Sequence, residues 1–156
     1  MAYEKSKGML AVATRYISSE DKYYYEKLDS YIEASSLNIT PDIVQEEESY
    51  RNANGLLKRP GIMPYTASKI EANIKQADEN TMDKVMSILM KATNVKDAVS
   101  AENKIRIRFY NPKKMEYNNA WAYFPDITYN VYTTSRGIPV YAPTRIAFIT
   151  YGEKRW

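Results

Sequence analysis

Tyr65-Thr66-Ala67-Ser68-Lys69-Ile70-Glu71-Ala72-Asn73-Ile74-Lys75 is the stretch on which the fold turns. Ile70, Ala72 and Ile74 alternate with Lys69, Glu71, Asn73 and Lys75. A period of two over that length predicts a strand with one buried and one solvated face. Shortly afterwards the period changes. Met82, Val85, Met86, Leu89 and Met90 fall at helical spacing, and a helix over about residues 81–93 is expected, with those five as its core face. Asn80 or Thr81 can cap it, Asp83 suits its first turn, and Lys91 suits the negative C-terminal pole.

Outward from this centre the chain reads as strands. Downstream, Ile105, Ile107 and Phe109 alternate with Lys104, Arg106 and Arg108. Residues 116–124 are aromatic and strand-like, residues 127–133 alternate again, and residues 145–151 form an apolar strand before a charged tail. Upstream, Met9 to Ala13 reads as a short strand that Tyr16-Ile17 continues. Residues 23–28 are open between strand and short helix. Leu37-Asn38-Ile39-Thr40 alternates until Pro41-Asp42 interrupts it. The implied fold is mainly β: an antiparallel β-sandwich or barrel with one flanking α-helix.

Between the upstream strands and the central one, residues 51–64 read as one long loop, with Asn54-Gly55, Pro60-Gly61 and Pro64. Loops of that length tend to be functional. This one carries Leu56, Leu57, Ile62 and Met63, and apolar residues on an exposed loop want a partner surface.

The length of 156 residues is that of one domain, and 44% hydrophobic with 26% charged residues is an ordinary globular balance. The chain has no Cys and no His. Disulfides, thiolate nucleophiles, thiolate zinc sites and every Ser-His or Cys-His pair are therefore excluded. No GxGxxG, GxxxxGK[ST] or GxSxG pattern occurs. Glu46, Glu47 and Glu48 are consecutive, and neighbours on a strand point to opposite faces, so they do not converge on one ion. The expectation is no catalytic residue, no metal and no cofactor: not an enzyme. No run of ~18 apolar residues is present to span a membrane, and the stretch after the charged start is too short for a signal-peptide core.

Fifteen Tyr stand against three Phe and two Trp. Tyr favours strands, and it is enriched where subunits meet. The net charge of +3 is a weak basic bias. Lys104, Arg106 and Arg108 share one strand face, followed by Tyr110. Such a face can track a phosphate backbone while aromatics stack bases, or it is solvated, or it pairs with acids on a neighbour.

The ordered set Glu46-Glu47-Glu48-Ser49-Tyr50-Arg51-Asn52-Ala53-Asn54, then Lys58-Arg59-Pro60-Gly61, then Tyr65-Thr66, a strand and a helix, resembles the tail tube proteins of tailed bacteriophages and contractile injection systems. Asn118-Asn119-Ala120-Trp121-Ala122 is similar to that family's Asn-Ala-Trp strand. The resemblance covers roughly residues 30–151. It departs at Ala53, where Gly is usual, and at Arg59, where an apolar residue is commoner. It departs also at the N-terminus, where residues 1–28 are expected as an extension or arm ahead of a tube domain over 29–156.

The resemblance implies a β-barrel-like sandwich whose copies form hexameric rings, stacked helically into a tube. The lumen would conduct DNA and hold the tape measure protein. Further expected partners are terminator and baseplate proteins and, where a tail contracts, a sheath. The site would be the virion tail, assembled in the host cytoplasm, with no membrane partner. Inter-ring contacts are expected from Tyr50, Arg51, Asn52, Asn54, Leu56, Leu57, Lys58, Arg59, Ile62 and Met63. Candidate lumen or polar strand faces are Lys69, Glu71, Asn73 and Lys75, or Thr128 and Asn130. Lys104, Arg106 and Arg108 are expected to face away from the channel or to be neutralised by acids. Two alternatives stand beside this: a terminator or baseplate hub with a tube-like fold, and a small nucleic-acid-binding β-barrel.

Overall fold

Alternating apolar and polar residues turn most of the chain into antiparallel strands. The computed structural model describes residues 3–46, 50–51, 57–58, 62–151 and 153–154. The strands are β1 (Leu10–Ile17), β2 (Lys22–Lys27), β3 (Asn38–Glu46), β4 (Tyr50–Arg51), β5 (Leu57–Lys58), β6 (Ile62–Ile74), β7 (Ala77–Asp78), β8 (Lys104–Asn111), β9 (Glu116–Tyr123), β10 (Val131–Ser135), β11 (Ile138–Tyr141), β12 (Thr144–Thr150) and β13 (Glu153–Lys154). The helix α1 spans Glu79–Thr93. An eight-stranded sheet holds β2, β1, β8, β9, β12, β6, β3 and β13. Within it β2 pairs only with β1, and β3 and β13 only with β6; β2 ends one side, and β3 flanks β6 on the side away from β12. A small sheet joins β10, β11 and β7, and β4 pairs with β5.

One face of the large sheet is apolar, and α1 packs on it beside β1, β7, β8 and β11. Leu10, Val12, Ile70, Ile74, Ile105, Ile107 and Phe109 are 0% exposed there, with Met82, Val85, Ile88 and Leu89 of the helix above them. The helix begins two residues earlier than its apolar stripe suggests. Its N-cap is Asp78, whose carboxylate accepts from the Thr81 N–H at 2.9 Å. Met90 is not core but 68% exposed. A helix turns about 100° per residue, so Met90 stands roughly 140° from Val85 and falls off the stripe, whereas Ile88 and Ala92 fall on it.

Three further expectations change. Residues 10–28 are not a free arm: β1 joins the sheet through β8, β2 joins through β1, and Leu10, Ala11, Val12, Ala13 and Leu28 are fully covered. Pro41 does not end its strand, because β3 shifts register between Thr40 and Ile43, the kind of bulge that tolerates a residue without an N–H. The strand expected over 127–133 starts only at Val131.

The start of β1 is held by side chains. Gly8 adopts φ +68°, and a Cβ there would lie 2.6 Å from the Asp29 carboxylate. That carboxylate accepts from the N–H groups of Met9 and Leu10 at 2.8 and 3.2 Å. The Tyr117 hydroxyl donates to the Gly8 carbonyl at 2.8 Å. The tight approach explains the glycine: only a residue without Cβ brings the backbone down onto Asp29.

Candidate functional site

Strand β8 carries the chemistry on its outward face, away from α1. Lys104, Arg106 and Arg108 alternate with the buried Ile105, Ile107 and Phe109, and each cation is half-buried. Registry sets their neighbours. Tyr123 lies opposite Lys104, Trp121 opposite Arg106 and Asn119 opposite Arg108 on β9, and Ala11 lies opposite Arg108 on β1. Directly opposed residues share a face, so the cations stand among rings. The Lys104 ammonium lies 5.4 Å from the Trp121 ring centre and 5.2 Å from that of Tyr151. Arg106 lies over Trp121 at 5.4 Å and Tyr23 at 5.8 Å, and Arg108 over Tyr25 at 4.8 Å and Tyr117 at 5.9 Å.

The rings hold these cations by their faces but give them no acceptor. The Nε atoms of Arg106 and Arg108 are covered and make no hydrogen bond. Arg108 does donate from one terminal nitrogen to the Lys7 carbonyl at 3.2 Å. Among the described residues, none of the three cations forms an ion pair; the pairs are Lys7–Glu4, Lys69–Glu71 and Arg145–Glu71. The expected neutralisation by acids is thus absent within the described part of one chain. Beside this cluster, burial raises the Tyr23 phenol above its ordinary pKa of 10.0, and its hydroxyl donates to the Lys96 carbonyl at 3.1 Å.

Further along the same outward face, β6 presents Lys69, Glu71 and Asn73, all half-buried. Glu71 accepts from Lys69 at 2.8 Å and from Arg145 of β12 at 2.9 Å. Those two hydrogen bonds, that of Lys69 foremost, hold its carboxyl below the ordinary value. This half of the face is balanced in charge. Lys75 lies past the end of β6, exposed. Thr128 and Asn130 are not on this face. They sit in the exposed connection from β9 to β10, whose Ile127 and Tyr129 lean on the helix side of the molecule.

There a cleft of ≈ 520 Å³ opens between α1 and that connection. Met86, Leu89 and Met90 line one wall, and Phe124, Ile127 and Tyr129 another. The Tyr129 hydroxyl donates to the Met86 sulfur at 2.9 Å. Apolar exposure continues beside it: Val131 is 60% exposed, Tyr132 66% and Ile138 47%.

Within the segment expected as one long loop, the described residues are strand. Ile62 and Met63 begin β6, and Tyr50 and Arg51 pair with Lys58 and Leu57 as a short ribbon. Glu46 pairs with Ile62; four residues on along one strand and four back along the other, Tyr50 pairs with Lys58. The two pairings therefore share one register. Regular alternation hides in such a segment when Asn, Gly and Pro punctuate it. Asn52, Asn54, Leu56 and Arg59 lie outside the described residues.

The sequence pointed to Lys104, Arg106 and Arg108 but not to the rings that hold them. Tyr23, Tyr25 and Tyr117 come from distant stretches, and only the surplus of Tyr hinted at them. The Phe124–Tyr129 cleft wall carried no periodic signal. Among the described residues no group of three acids, His or Cys could hold a metal, and no helix is long and apolar enough to cross a membrane.

Residues 15–151 match the model of a family described as a family of unknown function (DUF6711). No curated protein matches the sequence. Among solved structures, the chain is similar to one from the tail of an empty GTA particle, computed with helical refinement and C6 symmetry. The two share 10% sequence identity and a TM-score of 0.48, over 97% of this chain and 96% of that one.

Proposed function

We infer that this chain, which belongs to the DUF6711 family of unknown function, is a structural subunit of a phage-type tail tube and not an enzyme. Six copies join head to tail into a ring, and rings stack into a hollow conduit for DNA and the tape measure protein. A head-to-tail contact that closes on itself makes a ring. The two open edges, β2 and β3, suit that contact, because an exposed strand gains its missing hydrogen bonds from a neighbour's edge. The motif order from Glu46 to the helix, and the Asn118-to-Ala122 strand, support the same reading.

One observation supports the proposal: Tyr50 and Arg51 pair with Lys58 and Leu57 in the same register as Glu46 with Ile62, beyond the last register shift between β3 and β6. A two-stranded ribbon is marginal by itself. With Leu56, Leu57, Ile62 and Met63 in this segment, a surface on the next ring is the partner it needs. The apolar cleft beside α1 offers such a surface. Terminator, baseplate and sheath proteins would meet the ends and outside of the tube.

Electron microscopy of the concentrated protein tests this. Hollow tubes are expected; lone rings would mean a terminator or hub instead. A protein that stays monomeric at every concentration overturns the reading. Deleting residues 56–63 should leave a folded monomer or free rings; tubes of normal length would remove the arm from the contact. The cation–aromatic face favours one other reading, a nucleic-acid-binding barrel, for which salt-dependent binding of single strands by the monomer is the mark.

A further inference from the structure

Strands β8 and β9 form one hairpin, and its two ends differ. Asn111 faces Glu116 at the closed end, and Lys104 faces Tyr123 at the open end. At about 3.4 Å per residue the two ends stand roughly 24 Å apart. The closed end is the turn of residues 112–115. Its shape is held from inside: the side-chain oxygen of the buried Asn111 accepts from the N–H groups of Lys113 and Lys114 at 3.0 and 3.3 Å. Met115 ends the turn at φ +54° and is 65% exposed. That backbone region suits Gly or Asn and is strained for a long side chain. An apolar side chain held out in water at a strained position gains little from its own fold. A partner surface is what it fits.

The open end carries the matching feature. Asn103, just before β8, and Phe124, just after β9, line the ≈ 520 Å³ cleft beside α1. A cleft of that size admits a drug-sized molecule or the tip of a turn. Met86, Met90 and Phe124 offer it thioether and ring surface, and Met fills such irregular apolar gaps well. Charge matches too. Asp126 is the one charged side chain in the lining, and it is exposed. Lys113 and Lys114 precede Met115 and Glu116 follows it, all exposed, so the turn is net positive.

Turn and cleft lie at opposite ends of one hairpin, so a single chain cannot bring them together. A second copy displaced along the strands can. Such a contact is head-to-tail and does not close on itself, which builds a stack. We propose that the β8–β9 turn of one copy seats Met115 in the cleft of a copy in the next ring, with Lys113 beside Asp126. This rests on the tube reading above and names a contact that stacks the rings.

The absence of Cys from the chain allows a direct test. Met115→Cys and Met90→Cys, each the sole thiol of its chain, are mixed, assembled and oxidised. A disulfide-linked dimer is expected from the mixture and from neither variant alone. Met115→Gly tests the energetics. Glycine relaxes the positive φ, so the urea midpoint of the monomer should hold or rise. The concentration for half-assembly into tubes should nevertheless rise about tenfold. A purely structural Met115 would instead lower the midpoint. Lys113→Glu should weaken stacking about threefold or more, and adding Asp126→Lys should recover it. Met115→Gly tubes that form at the parent concentration, or tubes without the mixed disulfide, overturn this contact while the tube reading stands. A disulfide between Leu56→Cys and Met90→Cys chains instead gives the cleft to residues 56–63 and overturns it equally. A parent that forms no tubes fells the tube reading and this contact with it.

Discussion

The two faces of β8 differ in who completes them. Ile105, Ile107 and Phe109 point to the helix side and are 0% exposed: the chain itself covers them. Lys104, Arg106 and Arg108 point outward, held by Trp121, Tyr151, Tyr23, Tyr25 and Tyr117, with two covered donors unpaired. One strand thus carries a face covered by folding and a face whose cations meet rings but, among the described residues, no acid. Stability should reside on the first face far more than on the second.

Substitutions can break or sharpen that contrast. The largest effect belongs to the finished face. Phe109→Ala should cost about 3–5 kcal/mol in urea unfolding of the monomer, since it empties a packed site; a cost below 1 kcal/mol would mean the apolar face is not what holds the sheet. Gly8→Ala comes next, at about 1–3 kcal/mol, because it forces a positive φ on a side chain and drives a methyl onto Asp29. An unchanged midpoint would show that the β1 clamp is dispensable. Arg106→Gln should shift monomer unfolding by no more than about 1 kcal/mol, the scale of exposed cation–ring contacts. A larger loss would make the outward face part of the fold's own stability and erase the contrast.

The smallest effect is a pH dependence. The Thr81 backbone N–H, and then its hydroxyl, hold the Asp78 carboxyl below its ordinary 3.8. A depressed carboxyl pKa stabilises the fold above the unfolded value, and this is lost as pH falls through the folded one. The melting temperature of Asp78→Ala should therefore lie below that of the parent near neutral pH, and the gap should close as the pH falls below 3.8. A gap that persists would remove the ionised cap from the account.

What was legible in the sequence follows the same division. Period two in residues 65–75 and helical spacing in 82–89 announced the central strand and the helix, because both report burial against the chain's own core. The N-cap at Asp78 was missed since Asn80 and Thr81 are equally good capping residues and only backbone geometry chooses. The start of β6 at Ile62 read as loop because Pro60 and Pro64 interrupt any period. The cation–aromatic cluster was half-legible: β8 alternates in plain view, but the rings arrive from β2 and β9 by registry, which no local pattern records. Val131 and Tyr132 looked like an ordinary strand, yet alternation cannot say that both sides of a ribbon lie exposed.

Pro41 has a consequence at the open edge of β3. It offers no N–H, and the bulge around it displaces Ile43 from the register of Thr40. A foreign strand can zip along residues 38–40 or along 43–46 but not along both in one pass. That denies amyloid-like growth a long uninterrupted template and gives the chain a built-in brake on fibre formation.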